Sequence, residues 1–256
     1  QVSDAMLTSA NWNDQASGFV RYLIQLENFS PDLFENMTLA LYNGDVQMIE
    51  KIMESTNTEL PYTTADYMAI VNLVDKVYNE TVSLGTEMGK IDNYYPRSVK
   101  DVNGLWDMLG VEEKTEFQRA LNKKEKELGR QLTKEERAGF MDSFLRGYIP
   151  RGEGKPGHTK GRNINLVTRD MLPYYEKPYD AMLDYIEMFA KSNSISRAFG
   201  KGNPNESIGA WVDEQLVRGN IKPGQVDEVK ELITQHYAPS KGLGNFGVNL
   251  KNSTYI

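Results

Sequence analysis

The sequence predicts an all-α protein, and three observations lead to this fold class. Apolar residues recur at helical spacing through most of the chain, helix start and stop signals frame these segments, and alternating strand patterns are almost absent. The chain has 256 residues and no cysteine, so its stability must come from a buried core and not from cross-links. We therefore predict a multi-helix, bundle-like assembly with a basic, glycine-rich loop and an irregular C-terminal tail.

Four helices are predicted in the first ninety residues. The first lies within 11–28, where apolar side chains recur at helical spacing. The second begins at the N-cap Ser30, with proline at its first position, and ends at Gly44; a third follows from Asp45. The fourth lies within 63–84, and its apolar stripe consists of Ile70, Leu73, Val74, Val77 and Tyr78.

A non-helical joint at 86–102 separates these helices from a second group. A capping box, Thr133 with Glu136, marks the start of one helix, and a longer one runs from Pro178 to Gly200. The predicted helical stretches are 103–110, 111–130, 132–148, 173–200, 205–219 and 222–237. The glycine-rich stretch 149–165 interrupts them as a loop or extended arm, and 238–256 form the irregular tail.

Charge divides the chain into two parts. Residues 1–92 contain 4 basic and 14 acidic residues, whereas residues 93–256 contain 25 basic and 22 acidic residues, which gives the net charge of −7. We distinguish an acidic helical part, 1–90, from a mildly basic helical part, 91–256, which are either two domains or two faces of one. The chain starts at Gln1 without an initiator methionine, so we expect it to be a segment of a longer polypeptide.

The sequence contains none of the usual patterns that carry catalysis. His158 lies in the glycine-rich loop and His236 ends a predicted helix, and neither belongs to a metal-binding motif. Asp184 and Glu187 share a helix face, which is typical of a solvated surface, and no nucleotide-binding loop or nucleophile elbow occurs. We therefore predict no enzyme, no catalytic or metal-binding residue, no cofactor and no small-molecule substrate. No apolar run is long enough to span a membrane.

A cluster of cations lies within 145–169 and has Glu153 as its only acidic residue. The cluster consists of Arg146, Arg151, Lys155, Lys160, Arg162 and Arg169. Cations on a glycine-rich arm are suited to follow a phosphate backbone, which predicts a contact with nucleic acid or an acidic partner. The alternatives are a solvated loop, or an arm pinned to the acidic region 1–92 of the same fold.

The joint contains the stretch Tyr94-Tyr95-Pro96-Arg97, which predicts a rigid contact between the two parts. Pro96 removes a backbone donor and favours an extended conformation at the residue before it. The two tyrosine rings then point to different sides, so that one can be buried with its hydroxyl bonded. Arg97 is suited to a fork-like contact with a carboxylate or phosphate. The alternative is a structural latch in which Arg97 pairs with an acid or caps the end of a helix.

The motifs NYYPR (93–97), LWDMLG (105–110), GHTKGR (157–162) and the aromatic helix 174–200 occur in this order. Together they resemble a segment of the large polyvalent proteins of tailed bacteriophages, over roughly residues 91–200. The matching positions are Tyr94, Tyr95, Pro96, Arg97, Lys160, Arg162, Tyr175, Pro178, Ala181, Tyr185, Ile186, Phe199 and Gly200.

The resemblance implies a polypeptide of the virion interior, made in the host cytoplasm, packaged in the phage head or portal region and ejected with the genome. The expected function is that of a non-enzymatic structural or cargo segment, whose partners are other virion proteins and, through the basic cluster, genomic DNA. The expected interface or latch residues are Tyr94, Tyr95, Pro96, Arg97, Tyr175 and Tyr185. The alternative is an accessory helical module of a virion-packaged RNA polymerase or another nucleic-acid enzyme.

Overall fold

The computed structural model describes residues 4–86, 90–145, 164, 166–200 and 204–236. Within these residues the protein is helical and has no β-sheet, which confirms the all-α prediction. The α-helices are α1 (Asp4–Phe29), α2 (Pro31–Asn43), α3 (Val46–Thr56), α4 (Thr64–Ser83), α5 (Val102–Met108), α6 (Val111–Leu128), α7 (Lys134–Leu145), α8 (Pro178–Phe199), α9 (Pro204–Val217) and α10 (Val226–His236). Among the described residues, short 3₁₀ helices span Arg169–Tyr174 and Pro223–Gln225.

Local signals set several helix ends as predicted. The Ser30 side chain caps α2, and Gly44 ends that helix in the left-handed region with a φ of 71°. The capping box before α7 is present in both directions. The backbone amide of Thr133 donates to a Glu136 carboxylate oxygen at 2.9 Å, and the amide of Glu136 donates to the Thr133 hydroxyl at 3.2 Å.

Helices α1 and α8 pack side by side in an antiparallel arrangement, and polar contacts fix both ends of the pair. Near the start of α1, Asp4 accepts hydrogen bonds from Arg197 in the last turn of α8, the shortest at 2.6 Å. Near the end of α1, Glu27 accepts bonds from Lys177 at 2.6 Å and from Tyr179 at 2.7 Å, both at the start of α8. Residues almost two hundred positions apart in the chain are thereby brought together.

One hydrophobic core includes side chains from both sides of residue 90. Phe19 and Leu23 of α1 are fully buried in the same cluster as Ile186 and Phe189 of α8, and the cluster extends to Phe144 of α7. The charge boundary therefore does not separate two hydrophobic cores. The described residues of the acidic part and many of those of the basic part share this core.

A smaller apolar cluster joins α9 and α10 to the last turns of α8. Its buried members are Ile195, Ile208 and Val212. Trp211 of α9 packs edge-on against Phe199 of α8, with ring centroids 5.4 Å apart. The two C-terminal helices thus pack on the end of α8 around a small apolar cluster distinct from the main core.

Some sequence predictions need correction, and others lie outside the described residues. Helix α1 begins at Asp4, before the predicted stretch, because small residues such as Ala5 and Ser9 pack there and give little apolar signal. The segment between the predicted loop, 149–165, and α8 contains an unpredicted 3₁₀ helix, Arg169–Tyr174, and α8 begins at Pro178, after the start of the predicted stretch 173–200. The irregular tail at 238–256 and most of the basic loop lie outside the described residues.

Candidate functional site

The joint between α4 and α5 runs beside the segment that leads into α8. Val99 and Tyr175 form an isolated antiparallel bridge, and the amide of Glu176 donates to the Ser98 carbonyl at 2.7 Å. The amide of Lys100 donates to the carbonyl of Tyr174 at 2.9 Å. The joint and this segment thus form a short backbone contact that positions the side chains of the predicted latch.

Tyr95 lies at the centre of the latch and is 2% exposed. Its hydroxyl donates to the carbonyl oxygen of Pro178, the first residue of α8, at 2.9 Å. Its ring packs against Phe19 of α1 and Tyr42 of α2, each with ring centroids 6.4 Å apart. Burial raises the pKa of the Tyr95 phenol well above its ordinary value, so the hydroxyl stays a donor at physiological pH.

Tyr94 points to another part of the core, as the extended backbone before Pro96 predicts. Its ring lies 6.0 Å from the ring of Tyr185 on α8, which in turn packs against Phe189 at 4.6 Å. The Tyr185 hydroxyl is buried without a hydrogen-bond partner in the described part of the chain. The tyrosine pair therefore contacts α1 and α2 through one ring and the middle of α8 through the other.

Arg97 is largely buried, and its guanidinium donates to the carbonyl oxygen of Ile164 at 2.9 Å. Among the described residues Arg97 pairs with no carboxylate and caps no helix end, so neither partner named in the latch alternative is among its described contacts. Burial lowers the pKa of Arg97, while the nearby Tyr175 raises it in part. Arg162, which also matches the phage segment, lies outside the described residues.

Two residues of α2 complete the latch, and sequence analysis missed both. The Tyr42 hydroxyl donates to the carbonyl oxygen of Glu176 at 2.6 Å, and its ring lies 5.6 Å from that of Tyr175. The side-chain amide of Asn43 donates to the carbonyl of Val167 and accepts from its amide, both at 2.8 Å. We had interpreted Asn43-Gly44 only as a helix stop, and no local pattern reveals a partner 124 residues away.

The described end of the basic cluster faces the acidic part of the fold. Arg169 forms an ion pair with Glu35 and donates to the side-chain oxygen of Asn36 at 2.6 Å, both on α2. This contact agrees with the interpretation of an arm held by the acidic region. The other predicted contact residues, Arg146, Arg151, Lys155, Lys160 and Arg162, lie outside the described residues, as does His158.

The described carboxylates do not assemble a metal site: no group of three or more metal-ligand side chains converges in residues 4–86, 90–145, 166–200 and 204–236. Asp184 and Glu187 of α8 have raised pKa values. The first cause is burial, and for Asp184 the charges of Asp180 and Glu176 add to it. These two carboxylates lie three residues apart on α8 and thus share one face of that helix.

A second feature is an open groove of about 440 Å³ between α5, α6 and α7. Trp106 and Phe117 form part of its wall, with ring centroids 4.8 Å apart and an interplanar angle of 71°. Three cations, Lys114, Lys134 and Arg137, also line it, and no described lining residue carries a carboxylate. We refer to it below as the cationic groove.

Comparison of the chain with protein-family models, with curated proteins and with solved structures gave no match. Among the described helices, none combines the length and the apolar character needed to cross a membrane.

Proposed function

We propose that this chain is a non-enzymatic structural or cargo segment of a tailed-phage virion protein, packaged in the head or portal region and ejected with the genome. One observation carries the proposal: the positions that resemble the phage segment are used to hold helices together. Tyr95 bonds to Pro178, Tyr94 packs on Tyr185, and Tyr175 pairs with the joint through its backbone. Contacts that hold helices together preserve the shape of the fold, and a structural segment requires a preserved shape.

The same geometry supports the proposed partners. The latch residues lie within the core, so other virion proteins would contact the outer faces of the helices. Arg169 is already engaged with Glu35 and Asn36, which leaves the remaining cations of the 145–169 cluster as the proposed contacts for genomic DNA or an acidic protein face.

The test is the protein composition of purified particles. Full particles of the source phage, and particles emptied of DNA, are separated on a density gradient and analysed by quantitative mass spectrometry. Peptides of this chain are expected in full particles at a fixed copy number and are expected to be depleted in emptied ones. Their absence from full particles would overturn the proposal. Equal amounts in full and emptied particles would overturn the ejection step.

A second candidate function is an accessory module of a packaged nucleic-acid enzyme, and the cationic groove favours it. Aromatic and cationic side chains in one groove are the chemistry that holds single-stranded nucleic acid. Under this alternative the chain co-purifies with a polymerase or nuclease activity after gentle disruption of the particles. Under the structural proposal it co-purifies with portal or capsid proteins.

A further inference from the structure

The aromatic wall of the cationic groove is held in place by the core behind it. Phe117 packs against Phe144 with ring centroids 5.3 Å apart, and against Phe140 at 5.7 Å. Both of these phenylalanines are buried, and Trp106 stands edge-on to Phe117 while remaining only partly buried itself. The accessible part of the indole is therefore presented on a rigid support.

The charge of the groove is positive because its cations are not neutralised by the surrounding carboxylates. Lys134 and Arg137 take part in no ion pair within the described part of the chain. Two glutamates close to them in the sequence are paired elsewhere. Glu136 accepts two 2.7 Å bonds from Arg130, and Glu116 pairs with Arg119.

Lys114 connects the charge to the aromatic wall. Its ammonium group lies 5.8 Å from the centroid of the Trp106 ring and 3.5 Å from the carbonyl oxygen of Asp107. Neither contact neutralises the charge, so Lys114 can reach a phosphate next to a base that covers the indole. Lys134 and Arg137 lie three residues apart on α7 and thus share one face of that helix.

The volume and the walls of the groove favour a strand of nucleotides over an extended peptide. About 440 Å³ falls within the usual range of ligand sites, and the groove is open to solvent, so a longer chain can pass through it. The three walls are helices whose backbone amides are largely bonded internally, and they offer little backbone pairing to a peptide. What the walls do offer is an aromatic face and three cations, which match a base and its flanking phosphates.

We propose that the cationic groove binds single-stranded nucleic acid, with a base stacked on Trp106 and the adjacent phosphates held by Lys114, Lys134 and Arg137. The proposal does not depend on the virion function, since either candidate function above can include it. It assigns a binding site to residues of α5, α6 and α7, none of which belongs to the six cations counted in the 145–169 cluster.

The test is a fluorescence-anisotropy titration of the full chain with a labelled oligothymidylate of about 12 nucleotides. The double variant Lys134→Gln/Arg137→Gln is expected to weaken binding about tenfold and to reduce the slope of log K against log salt by about 1.4, because two phosphate contacts are lost. The control Lys123→Gln/Lys126→Gln changes the net charge equally on exposed positions outside the groove, and it should have little effect.

The stacking contact is tested separately with Trp106→Leu, which keeps an apolar side chain against Phe117. It is expected to weaken binding about tenfold with an unchanged salt slope. Circular dichroism and thermal unfolding show whether each variant folds, and the charge variants at exposed positions keep the test valid if Trp106→Leu does not fold.

Three results would overturn the proposal. The first is the absence of binding by the wild-type chain at low salt. The second is equal affinity for duplex DNA with no effect of Trp106→Leu, which would indicate a non-specific electrostatic contact. The third is competition by polyglutamate as strong as that by the oligonucleotide, which would assign the groove to an acidic peptide. A failed titration leaves the particle-composition test untouched, so the two proposals fail independently.

Discussion

The hydroxyl of Tyr95 donates a 2.9 Å hydrogen bond to the backbone carbonyl of Pro178, 83 residues further along the chain. This bond ties the joint after α4 to the first residue of α8. Tyr95→Phe removes the hydroxyl, so the Pro178 carbonyl loses this hydrogen bond. We therefore expect the free energy of unfolding to fall by about 1–2 kcal/mol. Urea denaturation followed by circular dichroism measures the change.

Tyr67→Phe is the matched control for this prediction. Tyr67 is also buried, its ring lies 5.5 Å from the same Phe19 ring, and its hydroxyl makes no hydrogen bond in the described part of the chain. The control should change stability by less than about 0.5 kcal/mol. Equal losses in the two variants would mean that the Tyr95 hydroxyl contributes nothing beyond its ring.

Asn43→Asp tests the contact between α2 and the segment before the 3₁₀ helix. The aspartate can still accept from the amide of Val167, but at neutral pH it has no donor for the Val167 carbonyl, and its charge faces that oxygen. We expect a loss of about 1–3 kcal/mol at pH 7. Because a protonated carboxyl regains a donor, the difference from wild type should shrink as the pH falls below about 4. A pH-independent loss would contradict this account.

The fold class could be predicted from the sequence because local signals carry it. The N-cap Ser30, the stop at Gly44 and the capping box at Thr133 each act within a few residues, and the structure has all three. The capping geometry therefore required no knowledge of the rest of the fold. The start of α1 was missed because no such local signal marks it: Ala5 is buried there, but its small side chain adds little to an apolar pattern.

The latch could be predicted only in part. The sequence identified the joint and its two tyrosines, because Pro96 between two helical patterns is a local anomaly. It did not identify Tyr42 and Asn43, which look like ordinary residues at a helix end and acquire their role from partners across the chain. The cationic groove was missed for the same reason, since its lining comes from three different helices.

Gly104→Ala is expected to destabilise the protein, because α5 lies close to the 3₁₀ helix before α8. A methyl group at Gly104 would overlap the ring of Tyr174, whose backbone is fixed by its bond to Lys100. We expect a loss of about 1–3 kcal/mol in urea denaturation. Gly139→Ala on α7 is the control, since nothing lies within 4 Å of the added carbon, and it should stabilise by about 0.5–1 kcal/mol. If Gly104→Ala leaves the free energy of unfolding unchanged, the Tyr174 ring can move aside without a loss of stability.

The carboxyl of Glu136 is expected to titrate far below its usual range, with a pKa of about 2. The hydrogen bonds from Arg130 are the main cause, and the backbone amide of Thr133 adds to them. Since the pKa is lower in the folded than in the unfolded chain, the associated stability is present above the unfolded value of about 4.3 and is lost as the pH falls toward 2.

An NMR titration of the side-chain carboxyl carbons measures this value directly. Arg130→Gln should raise the pKa of Glu136 toward the ordinary range for glutamate, because the bidentate charge-assisted contact is removed while the Thr133 bond remains. Arg119→Gln removes a different surface arginine, the partner of Glu116, and should leave the Glu136 titration unchanged. If Arg130→Gln does not shift the titration, the capping box alone holds the pKa down, and the arginine is dispensable for the start of α7.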